Sequence, residues 1–212
     1  MQKTVIDINV DVGEGINNET QLFPYISSCN IACGGHAGDT ETMRSVVKLA
    51  KQYHVKIGAH PSFPDKEGFG RKTMDISCAA LYTSIKAQID DLISVLREEH
   101  MRLNHIKPHG ALYNLAAIDA KCASVIIEVM KSILLPAKLY VPYNSVIEKM
   151  AIENKIPINY EAFADRNYNA DGTLVSRTQL DALIEDADTM FEHVFRMITS
   201  NKVKTVSGKD IK

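Results

Sequence analysis

An α/β fold, a parallel sheet with helices packed outside it, is what this sequence predicts, and three observations predict it. Segments with an apolar period of two alternate with segments of helical period along nearly the whole chain. His, Asp, Glu, Lys and Arg gather just after the period-two segments, and in parallel α/β folds the carboxyl ends of the strands share one face. The 212 residues suffice for one large core and contain no linker, clear repeat or low-complexity tract, so a single domain over 1–212 is expected.

The first strand is read over residues 4–11, where Ile6, Ile8 and Val10 alternate with Asp7, Asn9 and Asp11. A second short run covers 27–33 and ends before Gly34-Gly35. Asp39 or Thr40 then caps a helix with Met43, Val46, Val47, Ala50 and Tyr53 on one face. Residues 55–59 are the next strand. After a loop rich in Gly and Pro, a long helix starts near Ser77, its Leu81, Ile85, Ile89, Leu92 and Leu96 at steps of three and four. A strand at 105–108 is followed by a helix from near Asp119, with Val125, Ile126, Val129 and Met130 apolar. A strand at 138–141, a short helix capped by Asn144 and a strand at 156–163 come next. Asp186 caps the last helix, with Met190, Phe191, Val194, Met197 and Ile198 inward, and 203–206 reads as a final strand. Period alone does not separate an open doubly wound sheet from a closed barrel.

Composition excludes several classes of function. Lys+Arg number 24 and Asp+Glu 26, a formal charge of −2, which speaks against nucleic-acid binding by bulk positive charge. No apolar run approaches the ~20 residues of a membrane span. The start, MQKTVIDINVDVGEG, has an acidic strand where a signal peptide has its apolar stretch, so a cytoplasmic protein is expected. Cys29 and Cys33 are the only close pair among four cysteines, and a zinc knuckle needs a second pair, so Cys29, Cys33, Cys78 and Cys122 read as reduced thiols.

The candidate site is built from strand ends. The first strand ends in Asn9 and Asp11, followed by Glu14; the second delivers Asn30 and His36; the third His60, with Arg71 beyond. The fourth carries His105, Lys107 and His109, with Asn114 further on, and the sixth ends in Glu161, Asp165 and Arg166. Alternation puts 105, 107 and 109 on one face. A lysine at a buried strand end needs an anionic partner or ligand. Asp11 reads equally as a turn cap, and Arg71 equally as half of an ion pair holding a loop. His54, His100 and His193 fall within or at the ends of helices and read as structural. Asp11, His36, His60 and His109 are residues of the kind that hold a divalent metal or move protons, and the sequence leaves both open. Neither a phosphate-binding GxxxxGK[ST] loop nor a GxSxG nucleophile elbow is present.

Several blocks together are more specific than any one residue. DINVDVGEG (7–15), NIACGGHAGD (30–39), GAHPSFPD (58–65), GFGRK (68–72), HIKPHGALYN (105–114) and EAFADRNYNADGTLVSR (161–177) resemble the LamB/YcsF family, in order and over nearly the whole chain. The resemblance implies a TIM-like (β/α)7 barrel of the glycoside hydrolase/deacetylase type. It implies the A subunit of an ATP-dependent 5-oxoprolinase, opening 5-oxo-L-proline to L-glutamate with ATP and Mg2+ and with partner subunits B and C. Asp11, Glu14, His36, His60, His109 and Glu161 are then the expected catalytic groups. Asn9, Asn30, Arg71, Lys107, Asn114, Asp165 and Arg166 are the expected substrate-binding groups. Family members run on past 203–206 to a Cys-x-His-Gly-Asp segment and a last helix, so a barrel without its C-terminal closing segment is expected. A homo-oligomer is a further expectation; a nucleic acid or a membrane is not. The alternatives are a stand-alone metal-dependent deacetylase-type hydrolase and a non-catalytic binding subunit.

Overall fold

The computed structural model describes residues 6–211, so Thr4 and Val5 of the first expected strand lie outside the described residues. The chain divides into two compact units, Met1–Tyr160 and Glu161–Lys212. The strands of the first are β1 (Asn9–Val12), β2 (Ser28–Ala32), β3 (Lys56–His60), β4 (Leu103–Ile106) and β5 (Lys138–Pro142), each paired in parallel with the next. β6 (Ile158–Glu161) completes a six-stranded sheet in sequence order, and the Pro157 carbonyl accepts from Leu139 N–H at 2.9 Å.

Side chains show that the sheet curls. Asn9 Nδ2 lies 3.5 Å from His105 Nε2, and Tyr140 OH donates to Asp7 Oδ2 at 2.8 Å. Strands three places apart in a flat sheet stand about 14 Å apart. Contacts from β1 to β4 therefore need a concave face, which is the parallel sheet of a TIM-like (β/α) barrel.

The helices cover the convex face. They are α1 (Glu19–Leu22), α2 (Thr40–Tyr53), α3 (Cys78–Glu98), α4 (Gly110–Ile118), α5 (Ala120–Ser132) and α6 (Val146–Glu153). Cys29, Ile31, Ile57, Ala59, Ile106, Leu139 and Val141 belong to one apolar core with Val47, Ile89, Leu92, Leu96 and Ile126 of the helices. The alternate strand residues, Asn9, Asp11, Ser28, Asn30, Gly58, His60, His105 and Tyr140, fill the concave face. Period-two alternation thus separates an apolar outer layer from a polar inner one.

The caps stand where the residue types require them. Asp39 accepts from Thr42 N–H at 2.8 Å, Ser77 from Ala80 N–H at 3.2 Å and Asp119 from Cys122 N–H at 2.6 Å. His54 follows α2 in a left-handed conformation, φ 57°, and closes it.

Several boundaries differ from the sequence reading. β1 begins only at Asn9, and Ile6 and Ile8 are exposed. The fourth strand is Leu103–Ile106, so Lys107 and His109 stand beyond its end. α4 is absent from the sequence reading because Ala111, Leu112, Tyr113, Leu115, Ala116 and Ile118 are apolar nearly all round and give no amphipathic stripe. Ser145, not Asn144, caps α6. It forms a reciprocal capping box with Glu148, and Asn144 turns the chain before it with φ 59°.

The second unit holds α7 (Ala187–Ser200), β7 (Val203–Lys204) and β8 (Asp210–Ile211). Asp186 caps α7, accepting from Thr189 N–H at 2.8 Å. β7 and β8 pair antiparallel, so the expected strand at 203–206 is a two-residue arm of a separate ribbon. Arg196 Nη2 meets the Asp210 carboxylate at 2.7 Å. Phe191 and Ile198, expected inward, are exposed, because a helical period shows which residues share a face and not whether that face is covered.

Candidate active site

The carboxyl ends of β1 to β4 bring one group of side chains together. Asp11 is on β1, Glu14 on the turn after it and His36 on the loop after β2. His60 ends β3, and Lys107 and His109 follow β4 on backbone that still pairs with its neighbour. Lys107 N–H donates to the Ala59 carbonyl at 2.9 Å and His109 N–H to the Pro61 carbonyl at 2.8 Å. His36, His60, Lys107 and His109 are buried, and the Asp11 side chain is 33% exposed.

A layer of amides and hydroxyls lies beneath. Asn30 Nδ2 donates to Asp11 Oδ1 at 2.7 Å and to Asn9 Oδ1. Asn30 Oδ1 must therefore accept, and His105 Nε2–H is its donor at 2.6 Å. Asn9 Nδ2 donates to Ser28 Oγ at 2.7 Å, and the His105 ring stacks on Tyr140 with 4.2 Å between centroids. Gly58 makes this possible: a Cβ there would lie 2.1 Å from His105 Nε2. Burial pushes the His105 imidazolium down to a pKa of about 3.

Asp11 joins this layer to the basic groups. Lys107 Nζ donates to its Oδ1 at 3.2 Å, and Oδ2 is 3.4 Å from His60 Nε2. Burial pushes the Asp11 carboxyl upward. The Lys107 ammonium and the hydrogen bond from Asn30 act against it, and the group is held well below the ordinary carboxylate range. Asp11 is thus an ionised acceptor at the mouth of the pocket.

The histidines are fixed by main-chain carbonyls. His60 Nδ1–H donates to the Lys107 carbonyl at 2.7 Å, and His109 Nε2–H donates to the Phe69 carbonyl at 3.0 Å. Their other nitrogens, His60 Nε2 and His109 Nδ1, face each other at 2.9 Å. Glu14 Oε1 lies 3.4 Å from His109 Nδ1, 3.9 Å from His60 Nε2 and 2.9 Å from His36 Nε2. The His36 and His109 rings are parallel at 3.7 Å, and Phe69 meets both edge-on. Burial lowers both imidazoles, His36 below its ordinary value and His109 to about 2, so both are neutral. Gly70 closes the wall with φ 61°, where a Cβ would press at 3.0 Å on both His36 and His109.

The structure brings together Asn9, Asp11, Glu14, Asn30, His36, His60, Lys107 and His109. Arg71 is exposed, its guanidinium 4.9 Å over the Phe69 ring. Asn114 is exposed on α4, and among the described residues no hydrogen bond joins it to the group. Glu161, Asp165 and Arg166 belong to the second unit. There Arg166 is buried and donates to the Val175 carbonyl at 2.6 Å and to the Ala182 carbonyl at 3.3 Å, tying down its own loop. Among the described residues Glu14, His36, His60 and His109 form a metal-capable set, with Glu14 in the place expected for Asp11. His105 is on the face that alternation with Lys107 and His109 predicts; Ser28 and Tyr140 are not among the expected site residues, and the alternation Ser28–Asn30 is the signal that finds the first of them. Cys29, Cys33 and Cys122 are buried free thiols, and Cys78 is half-buried. Among the described residues no single helix is long and apolar enough to cross a membrane.

The sequence pattern of the LamB/YcsF family matches residues 6–212. A protein of Bacillus cereus (strain 03BB102), named as the A subunit of 5-oxoprolinase, is 41% identical over 214 residues, covering 98% of this chain and 85% of that protein. A protein of the same name from Bacillus mycoides (strain KBAB4) is 41% identical over 211 residues, 97% of this chain and 83% of the relative. The crystal structure of a lactam utilization protein from Thermus thermophilus superposes with a TM-score of 0.92 at 34% identity, covering 98% of this chain and 86% of that one. The chain belongs to the LamB/YcsF family.

Proposed function

We propose that this chain is the A subunit of a cytoplasmic ATP-dependent 5-oxoprolinase, opening 5-oxo-L-proline to L-glutamate together with subunits B and C. The observation that carries the reading is the ionised Asp11, held by Lys107 and Asn30 beside three buried histidines, in a chain 41% identical to proteins of that name.

A five-membered lactam is a stable amide, and its hydrolysis needs activation. In the proposed reaction the terminal phosphoryl group of ATP, delivered with Mg2+, goes to the lactam oxygen. Water then adds at the ring carbon, the C–N bond breaks with the nitrogen taking up a proton, and the acyl phosphate so formed is hydrolysed by a second water, which frees phosphate and the new carboxylate. One lactam, one ATP and two waters give glutamate, ADP and phosphate. Lys107 neutralises anionic oxygen of the substrate. Asp11 takes a proton from the attacking water, and the histidines pass protons. Asn30, itself bonded to Asn9, holds Asp11 from beneath. Arg71, Asn114, Asp165 and Arg166 are assigned to substrate binding, and Glu161 to catalysis, through the family blocks that contain them. The chain has no phosphate-binding loop of its own, which is why ATP is assigned to the assembled complex.

The test is glutamate release from 5-oxoproline and ATP, with and without B and C subunits. The complex with the Asp11→Asn chain is expected to turn over ~10²–10⁴-fold more slowly, the usual loss with a general base. Near-normal turnover with a lowered melting temperature would assign Asp11 a structural role instead. No glutamate from the parent complex would overturn the function.

A further inference from the structure

Two imidazole lone pairs point at each other in this pocket. The Lys107 and Phe69 carbonyls take the N–H of His60 and of His109, so His60 Nε2 and His109 Nδ1 carry no proton in the neutral rings, yet stand 2.9 Å apart. Glu14 Oε1, a third electron-pair donor, completes the triangle at 3.4 and 3.9 Å. Three donors converge this closely only around a positive charge.

The triangle has the size of a coordination shell. Its separations of 2.9, 3.4 and 3.9 Å place all three atoms about 2.0 Å from one common centre. Zinc–nitrogen and zinc–carboxylate bonds are ~2.0–2.2 Å long. The outer contacts also match a metal site. A ligating histidine ordinarily donates its second N–H to a carbonyl or carboxylate, which fixes the tautomer and aims the ring. His60 and His109 both do so. His36 is set differently. Its ring is parallel to that of His109, 1° between planes at 3.7 Å, and two such rings cannot both direct in-plane lone pairs at one cation. Its Nε2–H instead donates to Glu14 Oε1 at 2.9 Å and orients that carboxylate.

We propose that His60 Nε2, His109 Nδ1 and Glu14 Oε1 bind one divalent cation of the zinc type. Two histidines and a carboxylate leave a coordination position for water or substrate, as catalytic zinc sites do, and Asp11 lies alongside with Oδ2 3.4 Å from His60 Nε2. A cation here supplies Lewis-acid polarisation of an oxygen ligand. The inference deepens the proposed function, because it places the cation in the pocket assigned to the lactam.

Binding is measured without substrate, which separates the two readings. The full, tag-free chain is stripped with a chelator and titrated with Zn2+ against a chromophoric chelator, and with Co2+ by visible absorption. One equivalent of Zn2+ and intense Co2+ bands of low-coordinate type are expected. Glu14→Gln and His109→Gln should each weaken Zn2+ at least ~10-fold, while Lys131→Ala, an exposed residue of α5, leaves it unchanged. Should His109→Gln lower the melting temperature of the metal-free chain, Glu14→Gln, on a loop and of the same size, decides. Substoichiometric binding would mean that the nitrogens share only a proton and would overturn the site. So would binding that both variants leave intact. Stoichiometric zinc without glutamate production in the complex would overturn the 5-oxoprolinase reading and leave the site standing.

Discussion

Gly58→Ala tests the polar layer on which the pocket stands. Gly58 is buried on β3, and a Cβ there would lie 2.1 Å from His105 Nε2 and 2.3 Å from His105 Cδ2. The ring has little room to retreat. It stacks on Tyr140 at 4.2 Å on one side and donates to Asn30 at 2.6 Å on another. Overpacking of this kind costs ~1–3 kcal/mol. Displacing the ring also breaks the Asn30 bond, worth ~0.5–1.5 kcal/mol net. The sum is about 2–4 kcal/mol, and at ~2–4 °C per kcal/mol for a chain of this length the melting temperature falls by roughly 5–15 °C. Because Asn30 also holds Asp11, the variant should lose turnover in the complex even where it remains folded. Urea denaturation of the parent, Gly58→Ala, His105→Ala and the double variant is the assay. The alanine fits where the imidazole is gone, so the double variant should show a coupling of at least ~1 kcal/mol. A Gly58→Ala stability within ~0.5 kcal/mol of the parent, or additive single effects, would refute this packing.

Ser145→Ala removes the hydroxyl that accepts from Glu148 N–H at 3.2 Å and ends the capping box of α6; a loss of about 1 kcal/mol is expected in urea titrations, and an unchanged midpoint would contradict the cap. Stability should fall as the pH drops below 6.5. There the unfolded chain takes up a proton on His105 that the folded chain, with this group held by burial at about 3, does not. Denaturation midpoints at pH 7 and pH 5 should therefore converge in His105→Asn relative to the parent, and equal slopes would refute the assignment. Burial pushes the Cys29, Cys33 and Cys122 thiols up to about 12, so iodoacetamide at pH 8 should modify only the half-buried Cys78 in the native chain and all four thiols in urea. Intact-mass measurement of native labelling at any of the other three would count against the core.

Much of the architecture is local chemistry and was legible in the sequence. Asp39, Ser77, Asp119 and Asp186 each precede a helical period, and each accepts the backbone N–H that such a cap must satisfy. Val10, Cys29, Ile31, Ile57 and Ala59 alternate with the polar residues of the same strands, which assigns two faces before any partner strand is known. The grouping of Asp11, His36, His60, Lys107 and His109 was legible too, because parallel strands in sequence order bring their carboxyl ends to one side. α4 was not, since an element apolar nearly all round carries no period. Nor was the exposure of Phe191 and Ile198, since coverage depends on other chain.

Within the site, tertiary contacts decided what residue types could not. Glu14 and Asp11 are both carboxylates near the first strand's end, and the sequence favours Asp11 as partner of the three histidines. The turn after β1 instead carries Glu14 to His36 and His109, while Asn30 and Lys107 hold Asp11 beside them. Which imidazole nitrogens are bare rests on the Lys107 and Phe69 carbonyls, 47 residues from His60 and 40 from His109 along the chain. Sequence determines which donors a chain owns and, through short-range sterics and periodicity, which face each occupies. A proton or a cation responds to distances of a few tenths of an ångström between groups far apart in sequence, and those exist only once the sheet has curled.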